Sequence, residues 1–131
     1  MFRAGFSSNA GFHSKDKMFI YGAGRNVIID TNDNQMQLVG HDSTVSCTCV
    51  SNSLLVASGQ LASPGNKNYD SQVILWKIGT REPIGRLFGL KEGVKAIIFS
   101  NDSRYLAGVS FKDQLIIWDL KTQTEMYMKL F

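Results

Sequence analysis

The residues best suited to chemistry in this 131-residue chain are His41, Ser58 and Asp70. A hydroxyl, an imidazole and a carboxylate can serve as nucleophile, base and the group that orients the base. That chemistry needs the serine on an exposed, sharply turned elbow. Ser58 instead follows Val56-Ala57, inside a run that reads as a strand. Trp76 points to a different use. A buried imidazole and a buried indole N–H each need a partner, and an unpaired one costs about 1–3 kcal/mol. His41, Ser58, Asp70 and Trp76 are therefore expected to form a structural hydrogen-bonded row, with Asp70 in the turn six positions before Trp76. No catalytic residue and no enzyme activity is expected.

Other patterns are weaker still. Gly22-Ala23-Gly24 follows a strand, as a dinucleotide loop does, but the strand-like Val27-Ile28-Ile29-Asp30 stands where a phosphate site needs a helix N-terminus. Cys47 and Cys49 sit one residue apart on one strand face, poorly placed to bridge, and read as small buried residues in a reducing cytoplasm. Asn101-Asp102-Ser103 matches a glycosylation sequon but reads as a hairpin turn. His13 and His41 are too few and too separated for a metal site, so no metal and no cofactor is expected. The net charge of +3 is compatible with an acidic partner but does not argue for nucleic acid. No apolar run approaches the roughly 18 residues of a membrane span, so no membrane partner is expected.

These residues are carried by strands. β-branched and aromatic runs recur at Met18–Tyr21, Val27–Asp30, Met36–Val39, Val45–Val50, Leu54–Ser58, Val73–Trp76, Ile84–Phe88, Val94–Phe99, Tyr105–Val109, Leu115–Trp118 and Glu125–Lys129. Ala10-Gly11-Phe12-His13 reads as a degraded further strand. The polar turns between them are short, which suits antiparallel meanders rather than crossovers. The exception is the insertion Gly59–Tyr69, where Pro64, Lys67 and Tyr69 would suit a protein contact.

The strands also repeat. Val73-Ile74-Leu75-Trp76 returns 42 residues later as Leu115-Ile116-Ile117-Trp118, and Val45–Asn52 returns 49 residues later as Val94–Asn101. Each copy runs strand, Ser-Asn turn, small-residue strand, apolar strand ending in Trp, polar turn, last strand. Such a period with Gly-His and Trp-Asp punctuation is the WD40 signature. Here the pairs are Gly40-His41 with Trp76-Lys77, and Gly89-Leu90 with Trp118-Asp119. The expected fold is all-β, a partial WD40 β-propeller of about three four-stranded antiparallel blades, near 1–39, 40–88 and 89–131. In the third copy Leu90 replaces the histidine, so packing is expected to fix that blade.

Met18-Phe19-Ile20-Tyr21, Leu38-Val39-Gly40-His41, Val45-Ser46-Cys47, Val56-Ala57-Ser58-Gly59-Gln60, the long loop and Val73-Ile74-Leu75-Trp76 carry a more specific likeness. With these the chain resembles the cilia- and flagella-associated WD40 family found inside doublet microtubules. The resemblance implies a non-catalytic scaffold in the cytoskeleton of the cilium or flagellum axoneme, touching tubulin and other inner proteins. The echinoderm microtubule-associated WD40 family has a similar Gly-Gln segment before a long insertion, and a cytoplasmic WD40 adaptor is the further alternative. Three blades do not close a propeller. The remaining blades are expected from the same or another chain, with Leu115–Phe131 resting on protein outside this sequence.

Overall fold

A computed structural model describes residues 10–13, 18–31, 34–63, 65 and 70–131. Among them twelve strands run β1 (Ala10–His13), β2 (Met18–Ala23), β3 (Asn26–Asp30), β4 (Gln35–Val39), β5 (Val45–Val50), β6 (Leu55–Gln60), β7 (Asp70–Lys77), β8 (Pro83–Lys91), β9 (Val94–Phe99), β10 (Tyr105–Ser110), β11 (Gln114–Asp119) and β12 (Thr124–Leu130). They form three four-stranded sheets in simple sequence order, β1 to β4, β5 to β8 and β9 to β12, every pairing antiparallel. The fold is all-β, with three blades of a partial propeller.

The blades stack through apolar faces. Val73 and Leu75 of β7 point into the interface with the third blade, and Ile74 and Trp76 into the interface with the first. A strand covered on both sides has no reason to alternate apolar and polar residues, which is why this run lacks a period of two. Among the described residues β12 has no such cover, and all seven of its residues are exposed.

Hydroxyl side chains shape the tight turns. Ser51 Oγ accepts the amides of Ser53 and Leu55 at 3.1 and 3.0 Å. In the next blade Ser100 Oγ accepts the amide of Tyr105 at 3.0 Å and donates to Asp102 Oδ1 at 2.6 Å. Leu54 and Ser103 occupy equivalent left-handed positions, φ 63° and 61°. Leu54 therefore belongs to the turn, one residue ahead of the strand in which the sequence reading put it.

Asp70 requires a larger correction. It is the first residue of β7, opposite Lys91 of β8, rather than a turn residue before a strand starting at Val73. The polar start Asp70-Ser71-Gln72 hid the extension, because these side chains are bonded rather than solvated. Asp70 pairs with Lys91 Nζ. Ser71 Oγ accepts the Gly93 amide at 2.6 Å, and Gln72 Oε1 accepts from Arg86 at 2.7 Å. The same pairing carries β8 on to Lys91, past Phe88.

Candidate functional site

The second blade holds a connected row of polar side chains. His41 lies in the connection from β4 to β5, Ser58 is in β6 and Trp76 in β7. The Trp76 indole N–H donates to Ser58 Oγ at 2.8 Å, and Ser58 Oγ lies 2.6 Å from His41 Nε2. The other imidazole nitrogen, Nδ1, meets Gln60 Oε1 at 2.8 Å. Gln60 Nε2 donates to Asp42 Oδ1 at 2.6 Å, and Ser63 Oγ donates to the same oxygen at 2.9 Å.

Donor chemistry orders this row in one direction. An indole nitrogen only donates, so the Ser58 hydroxyl accepts from Trp76, and toward a neutral imidazole whose Nδ1 faces the Gln60 carbonyl oxygen it donates its own proton to His41 Nε2. His41 then carries its proton on Nδ1 and gives it to the Gln60 carbonyl. The Gln60 amide passes the last bond to the Asp42 carboxylate. Near neutral pH the imidazole is uncharged because burial lowers its pKa, and the acceptor Gln60 Oε1 then fixes the remaining proton on Nδ1. Burial drives its pKa down from 6.5 to about 4, a larger effect than the opposing bond from Gln60. The bond from Gln60, then that from Ser63, holds the Asp42 carboxyl below its usual range.

Among the described residues Asp70 is not bonded to this row. Its place beside the imidazole is filled by Gln60, and Asp70 pairs with Lys91 at the start of β7. Sequence reasoning missed Gln60, Asp42 and Ser63. The signal for Gln60 was present: residues two apart on a strand share a face, so Gln60 points where Ser58 points. Gly40 stands just before the histidine for steric reasons. A Cβ there would come within 3.0 Å of Trp76 Cη2.

The third blade replaces this row with apolar contact. Register makes Gly108 the counterpart of Ser58, since these residues face Ile116 and Ile74 in the neighbouring strands. Leu90 is fully buried where His41 would be. A Cβ on Gly108 would sit 2.9 Å from Leu90 Cδ1 and 3.0 Å from Trp118 Cζ3. Trp118, Gly108 and Leu90 thus pack directly together. Asp119, next to the tryptophan, caps a turn by accepting the Lys121 amide at 2.9 Å and lies 3.4 Å from Arg104.

Cys47 and Cys49 are buried free thiols, with burial pushing their pKa values up to about 12 and about 11. Neither is an available thiolate nucleophile at neutral pH. Pro64, Lys67 and Tyr69 lie outside the described residues. An apolar groove of about 370 Å³ lies on the outward face of the third blade, lined by residues including Ile98, Tyr105, Ala107, Ile117 and Met126.

No family model matches the chain. Curated proteins do. A protein of Chlamydomonas reinhardtii is 32% identical over 114 residues, which is 82% of this chain and 18% of the relative. Its counterparts in Bos taurus and Homo sapiens are 32% identical over 113 residues with the same coverage. The chain resembles cilia- and flagella-associated protein 52. It spans about a fifth of the length of those relatives. Cilia- and flagella-associated protein 251 of Pongo abelii is also similar, 28% identical over 79% of this chain and 9% of its own length.

Proposed function

We propose that this chain is a non-catalytic structural piece of a WD40 propeller in the axoneme of a cilium or flagellum. There it binds tubulin and neighbouring inner proteins of the doublet microtubule. The observation that carries this reading is the similarity to cilia- and flagella-associated protein 52 from an alga to mammals, over four-fifths of the chain. The chemistry of the second blade accords with it. His41 and Ser58, the residues that could have formed a nucleophile and its base, have their polar atoms engaged in a buried row ending on Trp76. The net charge of +3 suits an acidic partner surface. The missing blades, from the same or another chain, complete the ring.

Co-sedimentation with salt-stripped doublet microtubules tests the proposal. The expected result is binding that survives a mild salt wash, because a protein inside the lumen is shielded from exchange. Release in mild salt contradicts the luminal location. A protein that stays in the cytosolic fraction contradicts the axonemal role altogether and favours an adaptor of another complex.

A further inference from the structure

The two blade interfaces inside the chain are built on one steric rule. Gly22 of β2 and Gly59 of β6 occupy equivalent positions, opposite Val27 and Val73 in the next strand of their sheets. Each receives the first residue of the following blade's innermost strand. A Cβ on Gly22 would lie 2.7 Å from Val45 Cγ1, and one on Gly59 would lie 2.6 Å from Val94 Cγ1. Not even a methyl group fits, so glycine is what lets a valine seat against the preceding blade.

On the third blade the same position is Val109, opposite Leu115 in β11 and Ala96 in β9. Around it the rest of the face repeats the second blade's. Cys47, Cys49, Ala57, Val73 and Leu75 of the second blade are buried against the third. Their register counterparts are Ala96, Ile98, Ala107, Leu115 and Ile117, all apolar and all only half-buried in this chain. The face is continuous in character with an interface the chain already makes, but with the glycine socket filled.

We propose that the outward face of the third blade seats a further four-stranded antiparallel blade whose innermost strand begins with a small residue, glycine, alanine or serine, where Val45 and Val94 stand in the earlier blades. Knob and socket are exchanged at this interface: Val109 is the knob, and the incoming blade supplies the space. The inference rests on the propeller reading above and specifies which blade comes next.

The test fuses a copy of residues 40–91 after Phe131, so that the second blade is offered again as a fourth. Four proteins form a cycle: residue 109 as Val or, by Val109→Gly, glycine, and the copied Val45 kept or changed to Gly. Melting temperature and acrylamide quenching of Tyr127, which faces the same side as Ile117, are read for each. The expected result is one cooperative transition, shifted above that of the 131-residue chain, for the two mixed pairs. The Val–Val protein should show a separate early transition and an unprotected tyrosine, and Val109→Gly should abolish both. Equal stacking by the Val–Val protein and the mixed pairs overturns the socket rule while leaving blade addition intact. No stacking in any of the four overturns both. A lysate protein or helical peptide that protects Tyr127 when no blade variant does would show that the occupant is not a blade.

Discussion

His41 is where a single proton matters most. Its folded pKa of about 4 lies below the unfolded value of 6.5. Between those values the unfolded chain binds a proton that the folded chain refuses, so stability falls as pH drops from 6.5 to 4 and is fully present above 6.5. At about 1.4 kcal/mol per pKa unit the loss approaches 3 kcal/mol. Chemical denaturation of the native protein and of His41→Leu across that range checks this. The native protein should show the steep pH dependence, and the variant should lack most of it. An unchanged slope in the variant assigns the effect to other groups. Ser58→Ala removes the acceptor of the Trp76 indole and the donor to His41, and should cost about 1–3 kcal/mol. A variant of native stability would show that the row does not hold the blade. This row was legible in part. His41, Ser58 and Trp76 were recognisable because their types and spacing demanded partners. Asp70 was misplaced, because which polar residue reaches the imidazole depends on where a strand begins. The polar run Asp70-Ser71-Gln72 concealed that start. The buried thiols give a second check at this scale: iodoacetamide should modify Cys47 and Cys49 only as fast as the protein unfolds, and rapid labelling under native conditions would contradict their burial.

At the scale of strands, each blade holds its neighbour by apolar faces and by the close approach of a valine to a glycine. Gly59→Ala should destabilise the chain by about 1–3 kcal/mol, since the added methyl meets Val94 rather than open space. Val94→Ala in the same protein should restore part of that loss, and a double-mutant cycle by urea unfolding measures the coupling. Strictly additive losses would show that the two residues do not meet. Strand order, the antiparallel meander and the internal repeat could all be read from apolar runs and short polar turns. The glycine sockets could not, because a glycine in a strand reads the same whether it marks a bulge, a weak point or a close approach. Only the neighbouring blade decides, and that neighbour is distant in sequence. The loss of the imidazole from the third blade was visible in Leu90. Its compensation by Gly108, which brings Trp118 and Leu90 together, needed the strand register.

For the whole molecule, three stacked blades leave apolar surface that a complete ring would cover. Met126, Tyr127, Met128, Leu130 and Phe131 are all exposed, beside the groove of the third blade. The chain on its own should bind a hydrophobic dye such as ANS and self-associate as its concentration rises. A soluble monomer that melts cooperatively and ignores the dye would contradict the need for further blades. The similarity covers four-fifths of this chain but a fifth of the relatives' length, so the longer assembly is where the proposed role is exercised. The most direct measurement is tomography of intact cilia carrying a density tag on this chain. The tag should appear at regular intervals inside the doublet microtubule, against its wall. A tag confined to the cytoplasm, or found in cilia away from the doublets, would contradict it.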